Sequence, residues 1–224
     1  MEEGRKLAEA DPRSYFVDDE NSKTLFLGYA VAARRLKRQL DEQHITVDAQ
    51  HPLIVFIPCG VGGAPGGVTF GLKDMFGDDV YSFFVEPTQA PCMTLGMTTG
   101  LHNEICVQDV GLTGLTSADG LAVGRPSKFV GKTVEHLIAG LFTVRDGALF
   151  DYMRGLMDTE DIFIEPSSCA AFQGVVKLHT MEHFLEKNGL TGDCLSRATL
   201  IAWATGGSMV PEEEKKIYLD THIE

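Results

Sequence analysis

Five glycines fall within the ten residues PCGVGGAPGG, Pro58 to Gly67, directly behind the apolar run Leu53-Ile54-Val55-Phe56-Ile57. A glycine-rich turn between a buried strand and a helix leaves backbone N–H groups free at the positive end of the helix. It also lets an anion approach the backbone and permits positive φ. The chemistry on offer is phosphate binding. The competing reading is a plain strand-to-helix turn, for which one glycine is enough. Spacing excludes two known glycine loops. In Gly60-Val61-Gly62-Gly63-Ala64-Pro65 a proline replaces the third glycine of the dinucleotide fingerprint, and from Gly66 to Lys73 a leucine separates the last glycine from the lysine, with no hydroxyl after it.

The elements that position this loop read as alternating strands and helices. Asp18-Asp19-Glu20-Asn21-Ser22 supplies capping residues before a periodic segment, Ser22 to Gln43, expected as a helix. Leu53 to Ile57 has the continuous apolar character of a strand buried on both faces. Further strands are expected at Val80 to Val85, Ile105 to Val110 and Leu200 to Ala204, with a short run at Ile162 to Ile164. Helices are expected over Gly67 to Phe76, Thr88 to Thr99, Ser127 to Phe142, Asp146 to Thr159, Pro166 to Asn188 and Pro211 to Leu219. The alternation implies one α/β unit over residues 1–224 with a mostly parallel sheet and right-handed crossovers. Ligands of such sheets bind at the carboxyl ends of the strands, where the glycine loop, Glu86-Pro87 and Thr205-Gly206-Gly207 all fall.

Composition narrows the function classes. The net charge of −13 argues against nucleic acid, and the basic cluster Arg34-Arg35-Leu36-Lys37-Arg38 reads as a solvated helix face. No apolar run approaches the roughly 20 residues of a membrane helix. The opening MEEGRKLAEAD is charged, unlike a secretory signal. Five widely spread cysteines without a CxxC pair fit neither a disulfide framework nor a zinc site, so a reducing cytoplasm is expected.

Pro58-Cys59-Gly60-Val61-Gly62-Gly63 with Pro65-Gly66-Gly67 resembles the phosphate loop of fold-type II (tryptophan synthase β-like) pyridoxal-phosphate enzymes, and within them the D-serine dehydratase family. The resemblance runs along nearly the whole chain. It includes Asp18 to Ser22, Phe84-Val85-Glu86-Pro87-Thr88, Thr99 to His102, Ala118 to Arg125, Glu165-Pro166-Ser167 and Trp203 to Glu214. It implies a large-domain portion of that fold and a pyridoxal 5′-phosphate cofactor. The phosphate would be held by the backbone amides of Cys59, Gly60, Val61, Gly62 and Gly63, and the Thr205 hydroxyl would face the pyridine nitrogen. A neutral hydroxyl does not enforce protonation of that nitrogen as a carboxylate does, which tempers the electron sink and suits prompt β-elimination.

The resemblance also implies a cation near Glu86, the Ala90 carbonyl and Cys92. Cys92 stands where some relatives carry a second carboxylate, so potassium or sodium is expected rather than a divalent ion. For Asp119 and Glu165 a structural role is as good a reading as a functional one. The family's Schiff-base lysine lies in a serine-x-lysine motif that this chain lacks, so no catalytic lysine is expected here. By the resemblance the chain corresponds to the C-terminal half of the family's sequence, and a missing N-terminal half is an expected partner, with small amino-acid substrates and neither nucleic acid nor membrane. Isolated, such a piece would expose sheet edges and tend to associate. The expected activity is an ammonia-lyase converting D-serine to pyruvate and ammonia. The alternatives are an L-serine or L-threonine dehydratase or racemase of the same fold, a non-catalytic pyridoxal-phosphate or phosphate-binding module, and a nicotinamide enzyme.

Overall fold

The computed structural model describes residues 2–18 and 20–223; Asp19 of the motif above lies outside them. The elements run α1 (Glu2–Ala10), α2 (Lys23–Glu42), β1 (Leu53–Pro58), α3 (Gly63–Phe76), β2 (Val80–Pro87), α4 (Cys92–Thr99), α5 (Val130–Val134), β3 (Ile138–Val144), α6 (Asp146–Glu160), α7 (Pro166–Lys177), α8 (Glu182–Lys187), α9 (Asp193–Ser196), β4 (Thr199–Ala202) and α10 (Glu212–Asp220). Among the described residues the strands form one sheet in the order β3-β2-β1-β4, and every pairing is parallel.

The central strand explains its own sequence. All six residues of β1 are buried. Ile54 and Phe56 face a core with Phe83, Val85, Leu149, Phe150, Met153, Ala170 and Ala171, which brings in α6 and α7. Leu53, Val55 and Ile57 face Ala33, Leu40, Val68 and Leu72 of α2 and α3. A strand covered on both faces has no polar side to present, hence its unbroken apolar run. The edge strands differ: β3 is half-buried at all but Val144, and β4 has no fully buried residue.

Helix α2 starts where the capping residues place it. Ser22 Oγ accepts from Leu25 N at 3.1 Å, and Asp18 Oδ1 accepts from the amides of Glu20 and Asn21 at 3.0 Å each. The basic cluster of α2 lies on its outer surface, with Lys37 paired to Asp41 at 2.8 Å and Arg38 to Glu42 at 3.5 Å. No helix among the described residues is long and apolar enough to cross a membrane.

Four segments differ from expectation. Ile105 to Val110 is not a strand: Asp109 Oδ2 accepts from Cys106 N at 2.8 Å and closes a 3-10 turn over Val107–Val110 that ends at left-handed Gly111. Ser127 to Phe142 is not one helix but the short α5 followed by β3, because Ile138-Ala139-Gly140-Leu141-Phe142 pairs with β2 as its outer neighbour. Pro166 to Asn188 breaks at a 3-10 turn, Leu178–Thr180, between α7 and α8. The Thr88 to Thr99 helix starts only at Cys92, behind a turn closed by Ala90 N donating to Pro87 O at 3.0 Å.

Candidate functional site

The glycine turn is tighter than its sequence implies. Helix α3 begins at Gly63 rather than Gly67, and Gly62 caps it with φ +105°. A Cβ on Gly62 would stand 2.2 Å from Met93 Cε and 3.3 Å from Val130 Cγ1; on Gly60 it would stand 3.1 Å from the Gly120 carbonyl oxygen. The chain therefore passes through a slot that admits backbone only. Among the described residues the amides of Gly60, Val61, Gly62 and Gly63 have no acceptor within the protein. They sit at the amino end of a 14-residue helix, where four donors are always left over and negative charge is favoured. Cys59 differs from its expected role: its amide donates to the Val85 carbonyl at 2.9 Å and extends the sheet ladder, so it is not available to an anion.

These groups open into a cavity of about 290 Å³ lined by Gly60, Val61, Gly62, Gly63, Glu165 and Thr205, among others. It lies at the carboxyl ends of β1 and β4, the position that parallel sheets reserve for ligands. A larger cavity of about 570 Å³ lies near the C-terminal end of α2, around Lys37, His44 and Phe76. No glycine turn or carboxyl strand end reaches it, so size does not decide the site. Thr205 thus shares one space with the glycine loop, though 142 residues separate it from Gly63 in sequence.

Ser168 is a residue that sequence spacing leaves unmarked. It is fully buried in the first turn of α7. Its Oγ accepts from Thr205 N at 2.8 Å and Gly206 N at 2.7 Å, and lies 2.8 Å from Thr205 Oγ1 and 3.0 Å from Gly206 O. Beside it Ser167 Oγ accepts from Gly120 N at 3.1 Å. The sequence signal was a second serine behind Glu165-Pro166-Ser167, at the start of an otherwise apolar helix. Glu165 lines the cavity, and its carboxyl is held above the usual carboxylate range by burial and then by the Asp119 charge.

Glu86, Ala90 and Cys92 are all fully buried, and the Glu86 and Cys92 side chains are already engaged. Fully buried Glu86 accepts from Met93 N at 2.7 Å, Thr94 N at 2.7 Å and Thr94 Oγ1 at 2.5 Å, and so caps α4. The Cys92 thiol is pushed well up by burial and by the Glu86 charge. It stays a neutral thiol, with Sγ 3.4 Å from the Gly60 carbonyl oxygen. Among the described residues no group of three or more His, Cys, Asp or Glu side chains is arranged to hold a metal ion.

Burial raises the Glu86 carboxyl from 4.5 to about 7, against the opposing effect of its hydrogen bonds from Thr94 and Met93. The folded state then binds the proton more tightly than the unfolded chain. The stabilisation from this is complete below pH 4.5 and is lost as pH rises to about 7. At roughly 1.4 kcal/mol per unit the loss is about 3 kcal/mol. The carboxylates of Asp18, Asp48 and Asp109 are lowered by their hydrogen bonds and act with opposite sign at more acidic pH. Urea titrations at pH 5 and pH 8 should show Glu86→Gln with a smaller drop in stability than the native sequence. Equal drops in both proteins would sink this assignment.

A family model described as pyridoxal-phosphate dependent enzyme matches residues 1–190. Two curated relatives, each named a probable D-serine dehydratase, align with the whole chain: one from Fusobacterium nucleatum at 56% identity and one from Bacillus cereus at 54%. The chain spans about half the length of these relatives, 51% and 50%. Among solved structures, a fungal L-serine ammonia-lyase from Rhizomucor miehei superposes with TM-score 0.70 at 20% identity, over 99% of this chain and 63% of that one. A serine racemase from Dictyostelium discoideum superposes with TM-score 0.68 at 18% identity, over 94% and 58%. At such identities the likeness is one of fold, and the fold is the fold-type II arrangement expected from the sequence. Since the family model covers the glycine turn, the sheet that carries it and most of the remaining chain, this chain belongs to the pyridoxal-phosphate dependent enzymes.

Proposed function

We propose that this chain supplies the phosphate cradle and the ring-nitrogen partner of a lyase that converts D-serine to pyruvate and ammonia. One observation carries the reading: Gly60 to Gly63, with their free amides, and Thr205 line a single cavity at the carboxyl end of the sheet. The preference for D-serine rests on the printed names of the relatives at 54–56% identity.

The residues present fit the cofactor. Gly60 to Gly63 offer unpaired donors in a slot that a Cβ on Gly60 or Gly62 would fill, which suits a dianionic phosphate. Thr205 offers one neutral hydroxyl for the ring nitrogen. When bound, pyridoxal phosphate supplies the electron sink that makes the substrate Cα proton removable and lets the β-hydroxyl depart. Val61 and Gly62 anchor the phosphate end, and buried Leu121 with half-buried Leu25 lines the cavity with apolar surface that excludes water. Glu165, at the cavity wall with a raised carboxyl, can hold a proton there.

The covalent lysine belongs, in this proposal, to an N-terminal half that packs along the half-buried edge strands. A potassium or sodium ion beside Glu86, Ala90 and Cys92 is the second element. It would use the remaining lone pairs of a carboxylate that already accepts three hydrogen bonds. A reducing cytoplasm fits five cysteines that are all unpaired.

The test is to combine this chain with the N-terminal half of the Fusobacterium relative, add pyridoxal phosphate, and follow pyruvate and ammonia from D-serine and L-serine. Turnover confined to D-serine is expected. Preference for the L-isomer would move the assignment to an L-serine or L-threonine dehydratase, and cofactor binding without turnover would leave a binding module. The same assay in potassium, sodium and tetramethylammonium buffers tests the ion, and equal rates in all three would remove it.

A further inference from the structure

The hydrogen bonds around Ser168 can be counted, and the count has a chemical consequence. A serine hydroxyl has one proton to give and two lone pairs to receive. Ser168 Oγ receives Thr205 N–H at 2.8 Å and Gly206 N–H at 2.7 Å, so both lone pairs are taken. The residue is fully buried, so no solvent joins the set. Across their 2.8 Å contact Thr205 Oγ1 therefore cannot donate to Ser168. The single Ser168 proton has two acceptors in reach, Thr205 Oγ1 at 2.8 Å and Gly206 O at 3.0 Å. Whichever takes it, the Thr205 proton is not spent on Ser168. Thr205 is itself exposed on the wall of the cavity that holds the glycine loop.

We infer that Ser168 is a positioning residue that refuses the Thr205 proton and so leaves that proton free to be donated into the cavity. This rests on the reading of Thr205 as the ring-nitrogen partner. A donor hydroxyl complements a ring nitrogen that carries no proton, whereas a receiving hydroxyl would complement a protonated one. The proton that the first of these states needs is thus kept available by a buried serine in the first turn of α7. Two backbone amides enforce it by filling the serine's lone pairs. The side chain at 205 alone leaves the direction open, since a threonine hydroxyl can point either way.

The experiment uses the assembled holoenzyme loaded with pyridoxal phosphate carrying ¹⁵N in the ring, read by solid-state NMR beside a cofactor titration. In the native sequence the nitrogen is expected as an unprotonated hydrogen-bond acceptor. Ser168→Ala should move the resonance by most of the displacement that Thr205→Val produces and weaken cofactor binding about tenfold, as for one lost buried hydrogen bond. In a Thr205→Val background, Ser168→Ala should leave the resonance where it is.

A protonated nitrogen in the unmodified holoenzyme overturns the inference without any variant, which covers the case of Ser168→Ala failing to fold. A resonance that moves with Thr205→Val but not with Ser168→Ala leaves Ser168 a purely structural residue and also overturns it. A resonance indifferent to Thr205→Val removes the ring-partner reading itself, and the inference falls with it.

Discussion

Gly62→Ala should weaken pyridoxal-phosphate binding by 100-fold or more while leaving the sheet intact. Gly62 holds φ +105°, a conformation that costs an L-residue roughly 1–2 kcal/mol. The added methyl would also meet Met93 Cε at 2.2 Å, and Met93 is buried with its amide bound to Glu86, so it has little room to yield. Relief comes by moving the turn and with it the amides of Val61, Gly62 and Gly63. Two charge-assisted hydrogen bonds lost at about 1.5 kcal/mol or more each give the stated factor. Cofactor fluorescence titration measures it, and circular dichroism checks the fold. Binding at native affinity would mean that the turn does not hold the phosphate.

The second large effect is expected away from the cavity, where α2 lies on α3. A Cβ on Gly67 would stand 2.2 Å from the Phe26 carbonyl oxygen, and one on Gly71 would stand 2.4 Å from the Ala30 carbonyl oxygen. Both obstacles are backbone, so no rotamer change relieves them and the helices must separate. Gly71→Ala should cost about 2–4 kcal/mol, at or above the usual range for overpacking. Gly155, in the interior of α6, has nothing within 4 Å of a built Cβ. There the same substitution should stabilise by roughly 0.5–1 kcal/mol, through helix propensity alone. Denaturant midpoints of the two variants should move in opposite directions, and a shared direction would defeat the close-approach argument. This is also why glycines continue past the turn into α3: Gly67 and Gly71 serve the packing, whatever Gly62 and Gly63 hold.

Much of the sheet was legible because its signals are local. The apolar run of β1, the Ser22 cap and the glycine turn each follow from short-range rules. The candidate site was reached through resemblance rather than spacing, since nothing local ties Thr205 to Gly62. The failures share a physical cause. Ile138 to Val144 is an apolar run whose periodicity does not separate strand from helix, and only pairing with β2 decides it. Ile105 to Val110 has strand-forming residues, but Asp109 and Gly111 turn it back. Cys59 matched a motif, yet its amide belongs to the sheet. Ser168 escaped notice because its four contacts are to two residues of a distant segment, which no spacing records.

The placement of β4 beside β1 has a further consequence. Phe56 and Ala202 are register partners, and Trp203 N donates to Phe56 O at 2.9 Å. The glycine turn leaves the end of one strand and Thr205 follows the end of its neighbour, so the two start from strands held about 4.8 Å apart. On the proposed reading, the sheet is a fixed gauge for a ligand gripped at both ends. A side chain at position 205 would then be exchangeable, and the electronics of the proposed ring retuned, with the phosphate end left in calibration.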